Sequence, residues 1–178
     1  MQTARNAPDR MTIDYIVASL PALAFGEPPP VTREKFRETC GEEADELDRM
    51  LSTGKWADIE TQLKNALAEA RQPGGRWSRP AHGCSVYWRN RVLACFGTDD
   101  VARREELLDR VWWDAAGELA DASTPLGRGA LAAYAVRLGI AIKRAKISKD
   151  AGNAAFDRLT AETRDPLGTL SKEQATQS

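Results

Sequence analysis

Apolar residues recur every three or four positions along much of the chain, which is the spacing of amphipathic helices. The clearest stripe consists of Trp56, Ile59, Leu63, Ala66, Leu67 and Ala70. This spacing predicts a helix of about four to five turns with one buried face. The tetrapeptide Gln72-Pro73-Gly74-Gly75 follows, and its proline and glycines predict the end of that helix.

The N-terminal part is harder to interpret. Residues 13–21 are short, apolar and rich in β-branched side chains, so periodicity does not separate strand from helix. The proline that ends this stretch disfavours a helical backbone at Leu20. Further along, Thr32 is a predicted N-cap for a short helix that ends before Gly41. A second short helix, rich in acidic residues, is predicted over 42–51.

The C-terminal half predicts four more helices. The first covers Val86–Phe96 and ends near Gly97, and Thr98 or Asp100 caps the second. The apolar face of that second helix consists of Leu108, Val111, Trp112, Ala115 and Leu119. The third is predicted to start at Ser123-Thr124-Pro125 and to reach about Ile147, and the last runs from Ser148 to about Thr163.

The third of these helices is apolar on almost every side. One face carries Leu131, Tyr134, Leu138, Ile142 and Ala145, and further apolar residues at Ala132, Val136 and Ile140 lie around it. A helix of this kind is expected at the centre of a fold, or covered on two sides.

Together these segments predict an all-α fold, a compact multi-helix bundle. No segment shows the alternation of a strand, and no internal repeat of fixed period is visible. Residues 1–10 are polar and aperiodic, which predicts a disordered N-terminus. Residues 11–163 are expected to form a single helical domain, and 164–178 a flexible tail.

The overall charge and residue usage narrow the possible functions. The 178-residue chain has 25 basic and 26 acidic residues, a balance that argues against a dedicated nucleic-acid-binding protein. No apolar run approaches the 18 residues of a membrane span, and the polar start does not resemble a signal peptide. Three cysteines without paired spacing fit a reducing compartment, so a cytoplasmic location is expected.

Motifs for catalysis or cofactor binding are weak. His82-Gly83-Cys84 brings an imidazole near a thiol, but nothing marks a residue that would orient the histidine, so an ordinary loop or core cysteine is favoured. One histidine and three scattered cysteines do not make a zinc site. Gly127 and Gly129 match no phosphate-binding motif and are expected to relax a turn. We therefore predict no enzyme activity, no cofactor and no metal.

Two segments carry opposite charge. Residues 71–91 hold five arginines and no acid, interleaved with Trp77, Tyr87 and Trp88, which is a pattern that can attract phosphates and stack on bases. Residues 33–60 hold nine acids and five bases. Neutralisation of one segment by the other, within the chain or across to a partner, is favoured over RNA binding.

A few residues are candidates for binding another protein. If Trp112 belongs to the apolar face of its helix, Trp113 points about 100° away, toward a second packing layer or toward a partner. Arg137 and Arg144 lie seven residues apart among alanines, either as a solvated stripe or as a face that another chain approaches closely. The candidate partner-binding residues are Arg137, Arg144, Trp113, Arg89 and Arg91.

The motifs at 15–21, 104–113 and 130–138 together resemble a bacterial protein family that is encoded beside V-type ATP synthase genes. The first is Tyr15–Pro21 with Phe25 and the prolines of 28–30, similar to the family's aromatic-Leu-Val-Ala-Ser-Leu-Pro opening and Pro-Pro turn. The second, Arg104–Trp113, resembles a charged Leu-Leu-Asp-Glu helix that ends in tryptophan. The third, Ala130–Leu138, resembles an Ala-Tyr-Ala-Leu-Lys-Leu helix. In the third segment Arg137 stands where lysine is usual; Ile142, Arg144, Gly152 and Phe156 continue the likeness.

This resemblance covers about residues 11–163 and implies a helical protein similar to part of the V-type ATPase component that docks the central stalk onto the membrane rotor ring. That component is a structural coupler and carries no catalytic residues. The expected partners are therefore central-stalk and rotor-ring subunits, with a peripheral position at the inner membrane through the complex. The chain is shorter than is usual in the family. The alternative is a free-standing helical adaptor for another protein.

Overall fold

The computed structural model describes residues 12–72 and 85–147. Within these ranges the regular secondary structure is helical, which confirms the all-α part of the predicted fold. The α-helices are α1 (Ile13–Ser19), α2 (Arg33–Cys40), α3 (Glu43–Thr53), α4 (Lys55–Arg71), α5 (Val86–Ala94), α6 (Val101–Ala116) and α7 (Arg128–Lys146). Single turns of 3-10 helix follow α5 at Cys95–Gly97 and α6 at Gly117–Leu119.

The chain divides into two compact units, Met1–Ala141 and Ile142–Ser178. The described part of the first unit contains α1 to α6 and most of α7, and the described part of the second is 142–147. The predicted disordered N-terminus (1–10), the predicted last helix (148–163) and the predicted tail (164–178) lie outside the described residues.

The ends of several helices follow the predicted capping signals. The side chain of Thr32 accepts a hydrogen bond from the Lys35 N–H at the start of α2. Gly41 ends that helix with a φ of +53°, a conformation that glycine adopts at little cost. At the start of α6, it is Asp100 that accepts from the Arg103 N–H. These caps satisfy N–H groups that a helix leaves unpaired at its first turn.

The segment that sequence periodicity left open, residues 13–21, is a helix over its first seven residues. Ile16 is its buried residue, and the Ser19 hydroxyl donates back to the Ile16 carbonyl at 2.8 Å. Leu20 leaves the helix with an extended backbone, φ −69° and ψ 134°, as the following proline predicts. The proline therefore sets where α1 ends, and the chain continues to α2 without a further helix.

The larger buried cluster is built by α4, α5 and α6. Its buried members are Trp56, Ile59, Leu63, Ala66, Trp88, Val92, Cys95, Leu108, Val111, Ala115 and Ala116. The α4 members belong to the stripe that the sequence predicts, and Leu63 has no exposed surface. Because three helices share this cluster, their relative positions depend on the same set of apolar contacts.

A second cluster joins α6 to α7 and to the segment between α1 and α2. It consists of Trp113, Ile140 and Ala141, with Leu23, Phe25, Trp112 and Val136 packed against it. Trp112 packs against both clusters. The two adjacent tryptophans thus connect the two buried layers, since neighbouring residues of a helix face different directions.

The start of α7 differs from the prediction. The helix begins at Arg128, and residues 123–125 lie in a turn before it. The Asp121 side chain accepts from the Ser123 N–H at 2.9 Å, and the Thr124 carbonyl accepts from the Gly127 N–H at 2.9 Å. These local bonds hold the backbone in consecutive turns, which compete with helix formation.

Gly129 has a role beyond the relaxed turn that the sequence predicts. A Cβ at this position would overlap the backbone carbonyl of Leu119. The first turn of α7 therefore lies against the end of the preceding 3-10 turn at a separation that only glycine permits.

Candidate partner-binding site

Arg89 and Arg91, two of the predicted partner-binding residues, are engaged within the chain. Arg89 forms a two-pronged ion pair with Glu69 of α4, with its Nε 2.8 Å from Oε2. Arg91 donates from Nη2 to Asp114 of α6 at 2.7 Å, and this hydrogen bond raises the pKa of Arg91. Both arginines therefore connect α5 to its neighbours, and their side chains remain only partly exposed.

Arg89 and Arg91 of the basic segment are paired with acids, but these acids lie outside the acidic segment. The acids that meet Arg89 and Arg91 come from α4 and α6, beyond the acidic 33–60 region. Within that acidic region, Glu43 meets Arg128 at the start of α7. Arg89, Arg91 and Arg128 are thus paired within the chain, by acids that only the tertiary structure brings close to them.

The aromatic residues of α5 divide into one buried and one exposed ring. Trp88 is buried and donates its indole N–H to Glu118 Oε1 at 2.7 Å, so its face is not available to stack on a base. Tyr87 keeps 59% of its surface exposed and packs edge-on against Trp88 at 4.7 Å. The Arg91 guanidinium lies 5.8 Å from the Tyr87 ring centre. The other aromatic of the basic segment, Trp77, lies outside the described residues.

Trp113, a further predicted partner-binding residue, is a packing residue. Only 8% of its surface is exposed, and the Phe25 ring meets it edge-on at 5.5 Å. Of the two interpretations open from the sequence, the structure shows the second core layer. The reason is that Phe25 and Leu23, from the segment after α1, cover the face that points away from the main cluster.

Arg137 is partly buried and bonded within the protein, so a fully solvated stripe does not describe this residue. Its Nε donates to the Trp113 carbonyl at 3.1 Å, and its guanidinium lies 5.5 Å from the Trp113 ring centre. Burial lowers its pKa. A Cβ on Gly117 would lie 3.0 Å from Nη2, so glycine leaves room for the guanidinium. Arg137 thus satisfies a carbonyl near the C-terminus of α6.

We expect Arg137→Gln to lower the free energy of unfolding by about 1–3 kcal/mol, the usual range for a hydrogen bond to a charged group. The same change at Arg103, whose exposed side chain pairs with Glu106 on its own helix, should cost less than about 1 kcal/mol. Urea denaturation of the two variants checks this. Equal losses would show that the Arg137 bond contributes little.

Arg144, the last predicted partner-binding residue, lies seven residues after Arg137 on α7, within the second unit. It is partly buried, and it belongs to the basic last turn of the helix with Lys143 and Lys146. Positive charge at this end of a helix interacts favourably with the helix dipole.

The described thiols are buried and protonated at neutral pH. Burial raises the pKa of Cys40 to about 11 and also raises that of Cys95, which donates to the Arg91 carbonyl at 3.2 Å. His82 and Cys84 lie outside the described residues. Among the residues that the structure does describe, no group of three or more His, Cys, Asp or Glu side chains is arranged to hold a metal ion.

The raised pKa of Cys40 predicts a pH dependence of stability. Its ordinary value is 9.0, so the folded protein holds this proton more tightly than the unfolded chain between pH 9 and about 11. The contribution to stability is complete below pH 9 and is lost as the pH rises toward 11, at up to about 1.4 kcal/mol per pH unit. Cys40→Ala should show a shallower loss across this window in denaturant titrations. If the free energy of unfolding falls equally with pH in both proteins, the pKa of Cys40 is not raised by folding.

The segments Tyr15–Pro21 (with Phe25), Arg104–Trp113 and Ala130–Leu138 meet in one place. The Tyr134 hydroxyl donates to the Pro21 carbonyl at 3.1 Å, which joins the third segment to the first. Phe25 of the first meets Trp113 of the second, and the Arg110 guanidinium of the second lies 4.9 Å from the Phe25 ring centre. Arg137 then joins the third segment to Trp113. We call this set of contacts the three-segment junction.

The sequence matches no protein-family model, and searches among curated proteins and solved structures find no match either. No α-helix in the described ranges is long and apolar enough to cross a membrane.

In the described part of the chain, the exposed large apolar residues are Tyr15, Val86, Tyr87, Val101, Leu126 and Ile147. Sequence reasoning singled out Tyr87, in the basic segment, and did not identify the others as surface candidates. Tyr15 belongs to the first resembling segment, yet 61% of its surface is exposed, whereas its neighbour Ile16 is buried. The helical phase of α1 could have separated these two residues, had the helix been assigned from the sequence.

Proposed function

We propose that this protein is a non-catalytic structural subunit or accessory protein of a bacterial V-type ATPase, which couples the central stalk to the membrane rotor ring. Its partners are then central-stalk and rotor-ring subunits. Its location is cytoplasmic, with a peripheral position at the inner membrane through the complex. The proposal rests on the resemblance of three segments and on the way those segments pack.

The observation that carries this proposal is the three-segment junction. Segments that are distant in sequence contact each other through ring packing, a hydroxyl–carbonyl bond and a guanidinium–carbonyl bond. Each of these contacts holds helices and a connecting segment together. Residues that pack distant segments against each other are what a scaffold requires, whereas a catalytic site would bring a nucleophile and a base together.

The partner surface is assigned to the exposed side of α1. Tyr15 is the member of the first segment whose ring is mostly exposed, so packing within the protein gives little reason for a large aromatic side chain there. Tyrosine is enriched at the energetic centres of protein interfaces because its ring buries a large area and its hydroxyl can still bond. This surface replaces the one expected at Trp113 and Arg137, because Trp113 is buried and Arg137 is bonded to the Trp113 carbonyl.

Affinity capture from solubilised membranes of the native host tests the assignment. The wild-type protein is expected to recover central-stalk or rotor-ring subunits, and Tyr15→Ser should reduce that recovery about tenfold or more. Val101→Ser is the matched control, because Val101 is similarly exposed on α6 but lies outside the resembling segments. If Tyr15→Ser and Val101→Ser recover ATPase subunits equally well, the partner surface does not include Tyr15 and lies elsewhere on the protein.

A free-standing helical adaptor is the second candidate. Val86 and Tyr87 favour it, since both are exposed at the start of α5 and neither belongs to a resembling segment. Under this alternative, capture recovers a protein other than an ATPase subunit, and Tyr87→Ser, not Tyr15→Ser, weakens the recovery. The pair of variants therefore distinguishes the two candidates within one experiment.

A further inference from the structure

A cavity of about 330 Å³ lies between α2, α3 and α7. Its apolar lining includes Phe36, Leu47 and Leu138, all of which are buried. The charged residues Arg33, Arg37 and Asp48 also line it and are exposed, so they form its mouth. The volume is within the usual range for small-molecule sites, and it equals that of about ten water molecules in the liquid.

The side chains at the mouth include two cations, Arg33 and Arg37, and one anion, Asp48. Arg37 is committed to acids of α3, since it donates to Asp48 and lies 3.5 Å from Asp45, and the bond to Asp48 raises its pKa. Arg33 forms no ion pair with a carboxylate in the part of the chain that the structure describes. Among the residues that the structure describes, no carboxylate occupies the Arg33 guanidinium at the mouth, so this group can receive an anion.

The Arg33 guanidinium lies beside Gly139 of α7. A Cβ on Gly139 would be 3.8 Å from Arg33 Nη2, so the Arg33 side chain reaches across from α2 to α7 at the cavity wall. Because glycine has no side chain, the wall at this point stays open beside the guanidinium. A ligand can thus approach both the charge and the apolar interior.

We propose that this cavity binds a monocarboxylate that carries a short apolar chain. The carboxylate pairs with the Arg33 guanidinium, whose planar fork matches its two oxygens. The apolar chain lies against Phe36 and Leu138 and is removed from water there, which stabilises the complex in proportion to the area buried. Asp48 is already paired with Arg37 and so does not repel the anion strongly. This chemistry is shared by a free medium-chain acid and by the C-terminal leucine of a peptide.

Isothermal titration calorimetry with octanoate tests the free-acid source, and a short peptide that ends in leucine tests the other. Saturable binding of either ligand is expected, with octan-1-ol or the C-terminal amide of the peptide binding at least tenfold more weakly. Arg33→Gln should weaken binding about tenfold or more, as for the loss of a hydrogen bond to a charged group. Lys35→Gln is the matched control, because Lys35 is an exposed cation of the same helix that pairs with Glu38.

A second variant addresses the apolar part of the site. Gly139→Val adds methyl groups at the cavity wall while Arg33 is kept, and it should also weaken binding about tenfold, with the melting curve recorded to confirm folding. The proposal is overturned if neither ligand binds the folded wild-type protein saturably, or if Arg33→Gln and Lys35→Gln bind alike. It is likewise overturned if the uncharged analogues bind as well as the acids. None of these outcomes depends on recovery of ATPase subunits.

Discussion

Replacing Leu63 with alanine is expected to lower the free energy of unfolding by about 2–5 kcal/mol. Leu63 is completely buried at the centre of the cluster that α4, α5 and α6 share. The shorter side chain loses the free energy of burial and leaves a cavity that rigid neighbouring helices fill only in part. Chemical denaturation followed by circular dichroism measures the change.

The control for Leu63→Ala is the same substitution at Leu126, whose side chain is 43% exposed in the turn before α7. That variant should differ from the wild type by less than about 1 kcal/mol. If Leu63→Ala lowers the free energy of unfolding no more than Leu126→Ala does, Leu63 is not buried between α4, α5 and α6 as described.

Gly129→Ala is expected to destabilise the protein by about 1–3 kcal/mol or more. Alanine normally favours a helix over glycine by up to about 1 kcal/mol, so propensity alone predicts the opposite sign. The added methyl group, however, overlaps the Leu119 carbonyl, and a backbone group cannot rotate away as a flexible side chain can. The first turn of α7 must then separate from the end of the 3-10 turn.

The matched substitution is Gly97→Ala, because a Cβ at Gly97 meets no atom within 4 Å. This variant should be neutral or slightly stabilised, since alanine restricts the unfolded chain more than glycine does. Thermal melts of both variants give the comparison. A Gly129→Ala protein as stable as Gly97→Ala would show that the close approach does not exist in solution.

The helices themselves could be predicted from local signals. Thr32 and Asp100 cap the helices that follow them, and the periodic stripe from Trp56 onward is the buried face of α4. These features depend on residues within a few positions of each other, and sequence patterns record such interactions directly. The predicted start of α7 is too early because the bonds around Asp121 and Thr124 give the turn a stability that apolar periodicity does not measure.

The candidate site is harder to predict because it depends on pairs that are distant in sequence. The spacing of Arg137 on its helix gives no sign of the Trp113 carbonyl that it satisfies. In the same way, the sequence suggests the acids of 33–60 as partners of the 71–91 segment, whereas Glu69 and Asp114 meet Arg89 and Arg91. Charges along one helix indicate a surface only when neighbouring helices do not cover them.

The cavity that Arg33 borders could not be predicted from the sequence either. Its lining comes from α2, α3 and α7, and no single segment carries a motif for it. Only the packing of the three helices brings the Arg33 guanidinium beside apolar side chains. Sites of this kind require a tertiary structure to be recognised.

The most direct test of the proposed coupling role is to purify the V-type ATPase of the native host through one of its catalytic subunits. Quantitative mass spectrometry of the intact complex then measures how much of this protein is present. The proposal predicts a fixed ratio to the central-stalk subunits that persists through size-exclusion chromatography. Absence of the protein from an intact and active complex, while it is abundant in the same cells, would contradict the coupling role.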